Sequence, residues 1–193
     1  MKKTLATVAL ATLVLAGVTS TALAAPVTYA IEPSHTYPRF SYSHFGFSIQ
    51  QSQFQKTSGK IVYDAEAKTG SMDITIDMNS VETGSDLFNG RIKGEDYFDT
   101  AKHPTGTFKS TSVVFDGDKP IAVHGQLTLK GVTKPVVLTV TSFQRKEHPM
   151  LKRDTIGANA TTTVKRTEFN MGKFAPQVGD DVTITLAVEA VMQ

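Results

Sequence analysis

Polar and apolar residues alternate with a period of two along most of this chain. The clearest run is SMDITIDM, where Met72, Ile74, Ile76 and Met78 point one way and Asp73, Thr75 and Asp77 the other. Successive strand side chains face opposite sides, so the pattern predicts a strand with one buried and one wet face, as in a one-sided antiparallel sheet. Val136, Leu138 and Val140 form a second apolar row, and Val182, Ile184, Leu186 and Val188 a third. Strand-like runs recur in KIVYD, GTFKSTSVVF, IAVHGQLTLK, PVVLTVTSF, TIGANATTTVKR and DVTITLAVEAV, after a short β-prone run from Val27 to Ile31. Ser58-Gly59, AEAKTG, DGDKP, GVTK and the polar connection QRKEHPMLKRD separate them as turns and loops. Eight or nine strands are predicted, without the βαβ rhythm of a parallel sheet.

Two stretches depart from this pattern. Residues 83–103, TGSDLFNGRIKGEDYFDTAKH, space Phe88 and Ile92 by four and open on Ser85 and Asp86 as helix caps, while Gly90 and Gly94 weaken any long helix. One or two short helices are expected here, laid over the sheet or across a barrel mouth. Residues 35–54, HTYPRFSYSHFGFSIQQSQF, hold six of the sixteen aromatic residues. Read as one half-buried strand that starts at a sheet edge or bulge near Pro38, this stretch puts Phe40, Tyr42 and His44 on one side and Arg39, Ser41 and Ser43 on the other.

Composition adds an address. The chain opens with MKKTLATVALATLVLAGVTSTALA, in which Lys2 and Lys3 precede an apolar stretch and Ala22-Leu23-Ala24 offers a small-residue cleavage site. That is the form of a secretory signal peptide, and its apolar part is shorter than the roughly 20 residues of a membrane span. Residues 1–24 are therefore expected to be removed, leaving residues 25–193 as one soluble domain with no stable membrane anchor. The leader holds two lysines and no acid, so the rest of the chain balances 18 basic against 18 acidic side chains. A neutral chain without basic runs gives no electrostatic case for nucleic acid or an anionic membrane as a partner. With no cysteine, packing alone must stabilise the fold.

A many-stranded antiparallel sheet flattens into a sandwich or closes into a barrel, and closure removes exposed edges. In TIGANATTTVKR the face carrying Ile156 also carries Ala158, Ala160, Thr162 and Val164, mostly small residues where the barrel interior should be. Eight strands leave room either for a core of side chains or for one small ligand. The candidate lining is Phe40, Tyr42, Phe88, Ile92, Phe98 and Phe108, with Ala158 and Ala160 giving width. His44 stands in line with Phe40 and Tyr42, placed to donate a hydrogen bond to a ligand carbonyl or hydroxyl. The same residues also fit a filled core with a hydrogen-bonded histidine.

Catalytic and metal signatures are sparse. His35, His44, His103, His124 and His148 include no pair at the close spacing of a local metal site, and no metal or other cofactor is expected. GxSxG, HExxH and phosphate-cradling glycine loops are absent from the sequence. Asp96, Asp99 and His103 imitate an acid/base set, but a capped helix end with a solvated polar face accounts for them.

Several segments together resemble the YceI-like family of periplasmic, lipocalin-like proteins: YAIEPSH, RFSYSHFGFS, GEDYFDTAKHPTGTFKST, GQLTLKGVTKPVVL, KRTEFNMGKF and VGDDVTITLAVEA. The resemblance covers nearly the whole chain after the leader. It implies a periplasmic all-β protein, an eight-stranded antiparallel lipocalin-like barrel with a helical insertion, whose interior binds an isoprenoid chain or related amphiphile. Polyisoprenoid phosphates, isoprenoid quinones and long fatty amides are ligands known in the family. Where members often carry an arginine-rich motif, this chain reads SVETGSDLFNGRIKGEDYF, with only Arg91 and Lys93, which favours a weakly polar headgroup such as a quinone ring. The expectation is a binding or carrier protein and not an enzyme. A periplasmic hydrolase or isomerase acting on a lipid-like substrate, and a filled-core domain acting through protein contacts, are the alternatives. Monomer and homodimer both remain open.

Overall fold

The computed structural model describes residues 25–193, so the expected signal peptide lies outside the described residues. Eleven strands run β1 (Val27–Ile31), β2 (Tyr37–His44), β3 (Ser48–Phe54), β4 (Thr57–Asp64), β5 (Thr69–Asp77), β6 (Val81–Glu82), β7 (Thr105–Asp116), β8 (Lys119–Leu129), β9 (Val132–Glu147), β10 (Asp154–Lys165) and β11 (Asp181–Met192). One α-helix, α1 (Asp86–Ile92), lies between β6 and β7.

All pairings are antiparallel, and eight strands close a ring in the order β1, β4, β5, β7, β8, β9, β10, β11 and back to β1. The remaining three extend it. Along one edge of β11, β1 pairs near Ala190 and Met192 while β2 pairs from Thr183 to Ala187, so β1 and β2 are two halves of one bent strand. At the break, Glu32 N–H donates to the Glu189 carbonyl at 2.9 Å, and the buried Thr36 hydroxyl accepts from Glu189 N–H at 3.0 Å. The kink thus keeps its buried backbone groups satisfied. Strand β2 continues into β3, and β3 into β6, forming a lip that extends beyond the ring on the side where α1 follows.

The strand rows named from alternation face inward. Ile74, Ile76, Met78, Leu138 and Phe108 are buried among the core residues. The helical segment is shorter than its 21-residue stretch allowed. Ser85 caps α1 by accepting from Phe88 N–H, and after Ile92 the chain passes into turns stitched by Asp99 N–H to the Gly94 carbonyl and His103 N–H to the Asp99 carbonyl.

Three expectations require correction. The aromatic stretch is a hairpin and not one strand: Phe45 and Gly46 both adopt positive φ, 52° and 75°, and turn β2 into β3. Ser58-Gly59 is no turn; Gly59 lies inside β4, where its φ of 138° and a hypothetical Cβ only 2.2 Å from the Asp73 carbonyl oxygen mark a close approach of β5 that only glycine permits. QRKE is not part of the connection either, since β9 continues through Glu147. The strand count rises to eleven because the aromatic stretch supplies two hairpin strands and the two-residue β6 is added, while the closed ring keeps eight.

Candidate functional site

A cavity of about 620 Å³ occupies the half of the barrel beneath α1. Phe40, Tyr42 and His44 face it from β2, as alternation places them. Phe88 and Ile92, one helical turn apart, face it from α1, and Phe98 from the turns beyond. Phe108 completes the wall from β7; its ring lies across Gly125 of β8, where any Cβ would stand 2.4 Å from the ring edge. The aromatic rings form two groups. Phe40 and Phe98 meet edge-on at 5.8 Å, Phe54 contacts both at 5.6 and 5.4 Å, and Phe88 meets Tyr97 at 6.4 Å. Such offset and edge-on pairings are the preferred aromatic geometries.

Ala158 and Ala160 are not in this cavity. They line a second hollow of about 70 Å³ nearer the opposite end of the barrel, with Tyr63, Val123 and Phe143. Met72, Leu138, Leu186 and Val188 border both spaces and form the partition between them. The small-residue face of β10 is therefore divided: Ile156, Ala158 and Ala160 belong to the upper hollow, Thr162 and Val164 to the main cavity.

The main cavity reaches solvent where its exposed lining residues His44, Phe45, Arg91 and Phe174 converge, between the β2–β3 hairpin, α1 and the loop that precedes β11. His44 stands at this rim with its ring edge-on to Phe45 at 4.6 Å, so it is not the buried core histidine that the filled-core reading required.

Arg166 was missed by alternation. It follows the last residue of β10 and begins a short 3-10 turn, Arg166–Phe169, where face alternation no longer assigns a direction. Its side chain is buried against the cavity and donates from Nε to the Gly179 carbonyl at 2.8 Å and from its terminal nitrogens to the carbonyls of Lys173, Val178 and Met171. These four acceptors are neutral, and they fasten the loop around a cation. Burial pushes the Tyr42 phenol pKa up, Tyr97 adds to the shift, and the Arg166 charge opposes it, which places all three groups in one electrostatic neighbourhood. Arg39 and Arg91 also line the cavity, and no carboxylate does among the described residues. Deeper in, the buried Thr57 hydroxyl borders the cavity without a hydrogen-bond partner.

The acid/base imitation resolves into ion pairs, that of the buried Asp99 included. Asp99 binds Lys102 at 3.2 Å, and Asp96 is paired with Lys173. At the β1–β2 kink, Glu32, His35 and Glu189 bring ligand-type atoms within 4.8 Å of one another, a convergence that sequence spacing did not disclose. His35 Nδ1 is 2.7 Å from Glu32 and Ser34 N–H donates to the same carboxylate, so the group forms a hydrogen-bonded brace for the kink.

A closed antiparallel barrel with one short helix and an apolar interior is an architecture that can hold a small ligand. The chain belongs to the YceI-like family, whose domain matches residues 29–190. It is 32% identical over 188 residues to a UPF0312 protein of Ectopseudomonas mendocina, covering 96% of this chain and 98% of that one. Over 194 residues it is 30% identical to Protein YceI of Escherichia coli O6:H1, with full coverage of both. Among solved structures, Burkholderia cenocepacia BcnA superposes with a TM-score of 0.69 at 26% identity, covering 83% of this chain and 99% of that one. A polyisoprenoid binding domain from Saccharophagus degradans implicated in plant cell wall breakdown shares the fold, with a TM-score of 0.65 at 18% identity over 86% of this chain and 99% of that one.

Proposed function

We propose that this protein binds and carries a long-chain amphiphilic lipid, an isoprenoid, an isoprenoid quinone or a fatty amide, in the periplasm after loss of residues 1–24. The observation that carries this reading is the cavity itself: about 620 Å³, walled by aromatic and aliphatic side chains, open at one end and lined by no carboxylate among the described residues. Apolar surface gains by leaving water, so a hydrocarbon tail is the natural occupant of such walls. Polyisoprenoid binding in the structural neighbour from S. degradans supports the same class of ligand.

The headgroup belongs at the mouth. Tyr42, Tyr97 and Arg91 supply donors there, which suits an acceptor-rich head such as a quinone ring. Mass spectrometry of an organic extract of the natively purified protein tests the proposal. A stoichiometric isoprenoid or fatty species is expected. An extract without lipid, together with a delipidated protein that takes up no quinone, would sink it.

A further inference from the structure

Among the described residues, five of the ten large apolar side chains left exposed surround the cavity mouth; the other five, Val114, Ile121, Val137, Met150 and Leu151, are spread over β7, β8, β9 and the β9–β10 connection. Phe45, Phe47 and Ile49 at the β2–β3 hairpin are 50, 91 and 61% exposed; Phe174, on the loop before β11, is 55% exposed. Leu87, 82% exposed, projects from the first turn of α1 between the cavity-lining Ser85 and Phe88. Phe45 and Phe174 belong to both sets: each lines the cavity and also faces solvent. Three separate segments thus present large apolar side chains to water beside this opening. Clusters of this kind mark interaction surfaces.

We propose that this rim is a docking surface for a lipid bilayer, through which the cavity exchanges its ligand with the membrane. The inference rests on the lipid-carrier reading for its purpose, and its geometry selects a bilayer over a protein partner. Phe47 and Ile49 do not line the cavity, so they do not serve the bound ligand from inside. At the tip of a hairpin turn they are placed to enter an interface of acyl chains, the environment that aromatic side chains favour at membrane surfaces.

Charge does not oppose docking at the hairpin. The chain has no acid from Pro33 to Tyr63, which contains the hairpin, and none from Phe169 to Gly179, which contains Phe174. Arg39 on the hairpin is exposed, and the Lys173 ammonium lies 5.5 Å from the Phe174 ring. At the other two segments acids are close, since Asp86 adjoins Leu87 and Asp96 pairs with Lys173, so apolar insertion and not charge supplies the attraction. A docked mouth also lets a hydrocarbon tail pass from bilayer to barrel without crossing water.

Flotation of the residue 25–193 chain with vesicles of phosphatidylcholine alone, and of phosphatidylethanolamine with phosphatidylglycerol, tests this, alongside the variants Phe47→Ser/Ile49→Ser and Leu87→Ser. Circular dichroism and loading with detergent-solubilised quinone show that each variant keeps its fold and its cavity. Wild type should float with both vesicles, and each variant should lose roughly tenfold in partitioning. Transfer of a fluorescent isoprenol from vesicles should slow in parallel. A wild type that stays out of the vesicle fraction, or folded variants that float as wild type does, overturns the proposal. If the variants instead convert a dimer to a monomer in sedimentation velocity while vesicle binding is absent, the rim covers a second copy of the chain and the bilayer assignment falls. Vesicle binding by a protein whose cavity takes no lipid would retain the docking surface and refute the carrier reading.

Discussion

Tyr29 is fully buried on β1, and its hydroxyl donates to Asp154 at 2.7 Å, the same carboxylate that Arg145 Nε holds at 2.7 Å. Burial and the Asp154 hydrogen bond push the Tyr29 phenol up to about 12. For Asp154, burial raises the pKa, but the hydrogen bonds from Arg145 and Tyr29 and the guanidinium charge outweigh it, so the net shift is downward. A carboxylate held below its ordinary value stabilises the fold at neutral pH and loses that contribution as pH falls through the lowered value, below about 4. Tyr29 acts at the other end: its contribution is complete below about pH 10 and disappears as pH rises towards 12. Asp154→Asn should therefore cost about 1–3 kcal/mol at pH 7 by urea unfolding, since it leaves Arg145 without its carboxylate, and should remove part of the acid-unfolding limb. Tyr29→Phe should flatten the alkaline limb between those two pH values. An acid limb unchanged in Asp154→Asn would show that other carboxylates control it. His44, exposed at the rim, should matter little: a neutral hydrogen bond there nets about 0.5–1.5 kcal/mol, so His44→Ala should weaken quinone binding by no more than roughly tenfold in a fluorescence titration.

Strand β10 separates cavity from core along one face. Ala160 is buried in the small upper hollow, whereas Thr162, two residues on, borders the main cavity. Ala160→Phe should overpack and destabilise by about 1–3 kcal/mol while the main cavity still loads, and Thr162→Phe should fold normally and exclude the ligand. Thermal melts and quinone titration of the two variants check both outcomes, and a reversal would place the division elsewhere. Alternation made the inward row of β10 legible, because the pleat dictates it. It could not show that Met72 and Leu138 reach across from other strands and cut the row in two. The helix was legible from Ser85 and the Phe88–Ile92 spacing, and the aromatic lining from β2. The turn at Phe45-Gly46 was not, because a phenylalanine at positive φ has no sequence signature and the aromatic run continues through it. Arg166 was hidden because it begins a 3-10 turn where alternation ends, and the Glu32–His35–Glu189 brace because Glu189 comes from the far end of the chain.

At the scale of the whole molecule, the cavity and its mouth divide the work between tail and head. Each buried methylene is worth about 0.8 kcal/mol, so one isoprene unit offers roughly 3–4 kcal/mol gross, well above any single polar contact at the rim. Ordering a flexible chain returns part of this. Affinity of the delipidated protein for quinones should thus climb with isoprenoid length and level off once the tail meets the partition at Leu138 and Met72. Leu138→Ala should move that plateau to a longer chain by joining the two spaces. Affinity that ignores tail length but follows the headgroup would assign control to the mouth.

Closure of the ring brings Tyr29 opposite Met192 and Ile31 opposite Ala190, so the first strand is completed by the last. No nascent chain can make that pairing. Until β11 has emerged, β1 and β10 both present open hydrogen-bonding edges, and the closing contact spans almost the entire polypeptide, the kind of long-range pairing that makes folding slow. A barrel of this topology therefore cannot close before its last strand is available.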